Sequence, residues 1–178
     1  MSCIKEKILS LYTKRLIKSC RIARTNVGFQ QAQNIGILYS ADTSQKHEVI
    51  HYLATRLKNM GKQVTILCYT KVPTQTPHCI FPTITHHDLP LWGAIAHPKT
   101  RAFVNASFDY LFHVDLSGHP MLDYLLAKSH AKCRVGRYDT ARTNLFEIMV
   151  KFDKRADSNA IDDLVAQMLH YTQLLQVP

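Results

Sequence analysis

An α/β fold with a mainly parallel sheet is predicted by three observations. The stretch from Asn34 to Tyr69 reads as an apolar strand, an amphipathic helix and a second apolar strand. Further apolar runs recur at Phe108–Leu116, Cys133–Gly136 and Leu145–Phe152. Such near-continuous runs suit strands covered by helices on both faces. The first pair of strands is also separated by a helix-length segment, the crossover that joins parallel neighbours.

In the first unit, Ile35, Ile37, Leu38 and Tyr39 make the strand. Ser40, Asp42, Thr43 and Ser44 follow, and their side-chain oxygens suit the free N–H groups at a helix start. Val49, Ile50, Leu53, Leu57 and Met60 form an apolar stripe at helical spacing. Gly61 suits the position after the helix, where positive φ is needed. Val64, Ile66, Leu67 and Cys68 resume the sheet.

Before this unit, residues 3–24 read as a basic amphipathic helix. Leu9, Tyr12, Leu16 and Cys20 line one face, and Lys7, Lys14, Lys18 and Arg21 another. Residues 1–33 are read as this helix and its connector, and 34–178 as a single α/β domain. After the second strand comes a prolyl, histidine-rich loop, 71–106, with a short edge strand expected at Cys79–Ile84. Pro120 opens a helix carrying Met121, Leu122, Leu125 and Leu126. A last helix is expected from Ser158 or Asn159, with Asp162 and Asp163 near its start. The order gives three layers, Rossmann-like or flavodoxin-like, with the basic helix packed on them.

At 178 residues the chain can bury a substantial core. Its net charge of +9 is uneven, because residues 1–33 hold seven Lys/Arg and one acid, Glu6. No apolar run approaches the roughly 20 residues that cross a bilayer, and no secretory signal is evident. Cys3, Cys20, Cys68, Cys79 and Cys133 show no C-x-x-C pair and read as reduced thiols in a cytoplasmic protein.

Four groups of residues bear on chemistry. Ser40, Asp42, Thr43 and Ser44 are expected to meet Asp115, Ser117 and His119 at one sheet edge, where hydroxyls and helix N-termini suit an anionic or hydroxylated ligand. Plain capping is the competing reading. Lys14, Lys18, Arg21, Arg134 and Arg137 are the candidate anion-binding residues, for RNA or a phosphorylated ligand. A helix docked with its charges in water is the alternative. His47-Glu48-Val49-Ile50-His51 matches H-E-x-x-H, which places two imidazoles on one helix face as in zinc hydrolases. Ala54 and Leu57 stand where the extended motif needs Gly and His, so an ordinary solvated face is expected and no metal. His78, His86, His87 and His97, with Asp88, read as a polar loop. Neither G-x-G-x-x-G nor G-x-x-x-x-G-K-[ST] nor G-x-S-x-G occurs, and no cofactor is expected.

Two resemblances add to this. Ile-Gly-Ile-Leu-Tyr-Ser-Ala-Asp, Leu-Lys-Asn-Met-Gly-Lys-Gln-Val-Thr-Ile-Leu, Phe108-Asp109-Tyr110-Leu111 with Asp115-Leu116-Ser117, and Ala131 to Gly136 resemble a small uncharacterised bacterial family, Bacteroidetes-type, over most of the chain. That resemblance implies no activity. Phe108 to Gly136 is similar to the N-terminal half of heptosyltransferase-type glycosyltransferases, which implies a Rossmann-like fold. The leading functional expectation is a non-catalytic binding protein using the basic helix and the strand-end cleft. The rivals are a small enzyme or binding domain for a phosphorylated or nucleotide-sugar compound, and, more remotely, the zinc hydrolase.

Overall fold

The computed structural model describes residues 2–19, 22, 24–25, 27–70, 81–85, 87–88, 95, 97–151 and 160–175, with the backbone alone for 2–5. In chain order these form α1 (Ser2–Ser19), β1 (Asn34–Ser40), α2 (Ser44–Asn59), β2 (Gln63–Thr70), β3 (Thr83–Thr85) and α3 (Pro98–Asn105). Then come β4 (Tyr110–Val114), α4 (Pro120–Lys128), β5 (Cys133–Arg137), a 3₁₀ helix (Thr140–Leu145), β6 (Ile148–Val150) and α5 (Ala160–Leu174). The six strands make one open, all-parallel sheet in the order β3-β2-β1-β4-β5-β6. The expected three-layer α/β fold is the one observed.

Alternation along the strands sorts the core into two layers. Ile35, Ile37 and Tyr39 of β1 face α2 and α5, where Ile50, Leu53, Leu57, Leu164 and Met168 are buried. Leu38, Leu67 and Leu111 face the other way, onto Leu122 and Leu125 of α4, Phe103 of α3 and Leu9 of α1. The central strands are covered on both sides, which is why their sequence runs apolar without a break.

Local chemistry sets the element ends. Thr43 caps α2, its Oγ1 accepting from Lys46 N at 3.2 Å. Gly61, at φ +77, turns the chain out of α2. Gly136 answers a different need. A Cβ built there would lie 2.3 Å from Phe146 Cε1, so the bare backbone of β5 makes room for that ring.

Several boundaries differ from expectation. The N-terminal helix stops at Ser19, not residue 24; Arg24 lies beyond it and donates to Ser129 O and Ala131 O. The strand expected at Leu145–Phe152 is the shorter β6, Ile148–Val150, and Leu145 instead ends a preceding 3₁₀ helix; residue 152 lies outside the described residues. Asp139 starts that helix by accepting from Ala141 N at 2.9 Å. The prolyl loop contains the unexpected α3, with Pro98 in its first turn. The edge strand is β3, after Pro82 rather than across it, and residues 79–80 are outside the described residues. The same holds for the Ser158 and Asn159 caps, for Cys20, and for Trp92 of the loop.

Two buried ionic groups close the amino edge of the sheet. Lys62 donates to Phe29 O, Gln30 O and Ala32 O at 2.9, 2.9 and 2.6 Å. Asp109 accepts from Gln33 N and Asn34 N at 2.8 and 3.0 Å, and pairs with Lys132 at 2.8 Å. Burial pushes the Asp109 carboxyl up, but the two backbone N–H groups and Lys132 outweigh it and hold it below the ordinary carboxylate range. A carboxyl held low contributes stability that is present above its unfolded value, about 3.9, and is lost as pH falls through the folded value. Asp109→Asn is expected to cost about 1–3 kcal/mol at neutral pH. Urea midpoints measured from pH 7 down to about 3 check both points, and the variant's stability should fall less steeply with acid.

Candidate functional site

The strand order reverses between β1 and β4: β2 and β3 extend from one, β5 and β6 from the other. In open parallel sheets, ligand crevices lie at the carboxyl ends of the strands flanking that reversal. Here Tyr39 and Val114 are register partners, so Ser40 and Asp115 come next at the ends of the two strands. The loop after Ser40 leads into α2, and the loop after Val114 leads into α4.

The centre of this rim is Lys46, in the first turn of α2. It is only 4% exposed, and Asp115 only 1%. Its Nζ donates to Ser40 Oγ at 2.9 Å, to Asp42 Oδ2 at 3.2 Å, and to Asp115 Oδ1. Ser40 also gives its backbone N–H to Asp115 Oδ2 at 2.9 Å. The Ser40 hydroxyl lies 2.6 Å from Asp42 Oδ2 and 2.8 Å from Asp115 Oδ1, so its one proton serves one carboxylate at a time. Burial pushes the Asp115 carboxyl above its ordinary range, against the pull of Lys46 and the Ser40 donors. At Asp42 burial also pushes up, but the Ser40 hydroxyl and the Lys46 charge outweigh it and hold the group low.

Around this centre stand the two helix caps. Thr43 caps α2, and His119 caps α4 through Nδ1, which accepts from Met121 N at 3.2 Å. The His119 ring lies 4.3 Å from that of Tyr69 at the end of β2. Tyr69 is pushed up to about 12, first by burial and then by the carboxylates of Glu6 and Asp42. Glu6 belongs to α1, so the first turns of that helix lie within electrostatic reach of the rim. Ser44 and Ser117 are exposed beside it. Ser40, Asp42 and Asp115 are thus in direct contact, Thr43 and His119 flank them as caps, and Ser44 and Ser117 border them.

Below the rim on β4 is His113, which is fully buried. Neither ring nitrogen has a hydrogen-bond partner among the described residues, and Nε2 is 4.0 Å from Asp115 Oδ2. Burial, then the Arg142 charge, pushes this imidazole well below its ordinary value and keeps it neutral. Arg142, on the 3₁₀ helix, pairs with Asp123 of α4 and stacks over Phe146 at 5.3 Å.

The anion-binding candidates part company. Lys14 and Lys18 are exposed on α1. Arg21 is outside the described residues. Arg134 is spent inside the fold: its Nε and Nη2 bind Glu147 at 3.0 and 2.7 Å, and Nη1 donates to Leu126 O. It is not available to an external anion, contrary to expectation. Arg137 is half-buried at the end of β5.

His47 also departs from expectation. It is half-buried, with Nδ1 2.6 Å from Tyr39 Oη and its ring 5.0 Å from Phe81, so the face is not simply solvated. His51 is exposed. Asp88 accepts from Thr85 N and Oγ1, while His78 and His86 lie outside the described residues. Among the described residues, no three His, Cys, Asp or Glu side chains are grouped to hold a metal.

Sequence reasoning missed Lys46 and Arg142. Lys46 carried a signal: it stands three, four, seven and eleven residues before Val49, Ile50, Leu53 and Leu57. A charge heading an apolar stripe requires a buried partner.

Chemically, the arrangement resembles a lock more than a catalyst. The three N–H groups of Lys46 are taken by Ser40, Asp42 and Asp115, which leaves it no role as a base. Ser40 is buried beneath them. Removing one partner of a buried pair strands the other charge. Lys46→Met is therefore expected to cost roughly 3–5 kcal/mol. The double change Lys46→Met with Asp115→Asn should cost less than the single one. Chemical denaturation of the three proteins at neutral pH checks the ordering.

No curated protein matches the chain. Residues 5–175, from within α1 to the end of α5, match the model of a family of unknown function (DUF6913), and the protein belongs to that family.

Proposed function

We propose that the protein is a non-catalytic binding protein that meets a phosphate-bearing anionic partner, RNA in the leading case, across the outer face of α1. One observation carries this reading. Lys7, Lys14, Arg15 and Lys18 are exposed along α1, while Leu9 and Thr13 on its other side are buried. None of the four cations is in an ion pair among the described residues. Positions 7, 14 and 18 share one helical face. The cations at the rim and at Arg134 are, by contrast, satisfied within the fold. A surface of unspent positive charge attracts polyanions and binds them in a salt-dependent way.

No helix among the described residues is long and apolar enough to cross a membrane. Cys68 and Cys133 are buried free thiols. They suit the reducing cytoplasm, which we take as the site of action.

A second reading places a phosphorylated or nucleotide-sugar ligand at the rim. It is favoured by the position of Ser40, Asp42 and Asp115 at the strand-order reversal. The zinc hydrolase is the weakest reading, because Tyr39 engages His47 and the described residues offer no third ligand.

With four cations on phosphates, binding to single-stranded RNA should fall with salt at a log–log slope of about −3. Lys7→Glu, Lys14→Glu and Lys18→Glu together should cut affinity more than about tenfold at low salt and flatten the slope. Fluorescence anisotropy with a labelled oligonucleotide measures both. Unchanged binding in the triple variant would overturn the reading. A thermal midpoint raised by sugar nucleotides, and lost on Asp42→Ala, would favour the second one.

A further inference from the structure

The molecule carries a surface whose charge is the complement of α1. On the opposite face of the sheet an open groove of about 590 Å³ runs between α2 and the first turn of α5. It is lined by Gln45, Glu48, Val49 and Tyr52 of α2 and by Asp162 and Asp163 of α5. The α2 residues follow at steps of three, one and three, so they form a single stripe one helix-width across. Glu48, Asp162 and Asp163 are exposed and in no ion pair among the described residues. Tyr52 is 68% exposed, a large ring left in water beside three carboxylates.

The exposed stripe of α1 has matching spacing. Lys7, Leu11, Lys14 and Lys18 follow at steps of four, three and four, and Leu11 is 61% exposed among the cations. A helix laid in a groove is read through such positions, with an apolar anchor at the centre and charge at the rim. Leu11 would rest against Tyr52 and Val49, and the lysines would reach Glu48, Asp162 and Asp163.

One chain cannot make this contact with itself. Leu9 of α1 packs in the layer on one side of the sheet, and α2 and α5 belong to the layer on the other. We propose that the groove between α2 and α5 receives the α1 helix of a second copy of this chain. The contact joins two different surfaces, so it is head-to-tail and extends into a ring or a filament. The proposal rests on the reading of α1 as a face for anionic partners, and names the carboxylate groove of a second copy as one such partner. RNA then competes for the same lysines.

Sedimentation of the full-length protein tests this. At high micromolar concentration and low salt, the weight-average mass should at least about double, and should return to that of the monomer near 0.5 M salt. Two charge-reversed proteins are compared: Lys7→Glu/Lys14→Glu/Lys18→Glu, and Glu48→Lys/Asp162→Lys/Asp163→Lys. Each alone should be monomeric. An equimolar mixture should associate again, because the native helix of one variant meets the native groove of the other and the two reversed surfaces also attract. If the second variant is poorly folded, Glu48→Lys with Tyr52→Ala replaces it. A wild-type monomer at low salt, association that survives either reversal, or no pairing in the mixture would overturn the proposal. The groove variant should retain RNA at least as tightly as the wild type, because its three added lysines only strengthen attraction to phosphates. RNA retention by a wild-type protein that stays monomeric overturns this inference and leaves the reading of α1 standing.

Discussion

One ammonium group holds the carboxyl edge of this sheet together. Lys46 Nζ ties the first turn of α2 to the end of β1 through Ser40 and to the end of β4 through Asp115. Those two strands flank the gap where the strand order reverses. Isolated, either charge would be costly at this depth. Together with Ser40 they satisfy one another, and the rim becomes a closed network.

That closure sorts the charges of the molecule into two sets. Lys46, Lys62, Arg134 and Arg142 are buried and engaged by carboxylates or backbone carbonyls. Lys7, Lys14, Arg15 and Lys18 are in water with their charge unspent. The first set maintains architecture. The second set is gathered along one helix, whereas the other exposed cations, Arg56, Lys58, Lys99, Arg101 and Lys151, are scattered over the body. Most of the chain's excess positive charge still lies in the first 33 residues.

The sheet was largely legible in the sequence because its strands are buried on both faces and therefore read as apolar runs. Helix α2 was legible from its stripe and from the Thr43 and Gly61 signals. Lys46 is harder to see, because the apolar stripe shows from Val49 onward and, apart from its spacing, a lysine before it has no local signature of burial. Arg134 was mistaken for an anion site because its partner, Glu147, lies across a turn that spacing alone does not close. The 3₁₀ helix before β6 was missed for a similar reason. Leu145 and Phe146 look like the start of a strand, yet Phe146 turns back to fill the space that Gly136 leaves. Such tertiary fits have no local signature. The gathering of Ser40, Asp42 and Asp115 was foreseeable from topology, whereas the lysine that fastens them was not.

The connector ahead of β1 is easily read as a dispensable tether, but the foot of the sheet says otherwise. Three carbonyls from residues 29, 30 and 32 enclose the Lys62 ammonium, and the amide of Gln33 is held by Asp109. A chain trimmed to start at residue 34 would carry an uncaged cation at the base of β2. The seam between arm and body is therefore a weld, and any severable joint lies upstream of Phe29.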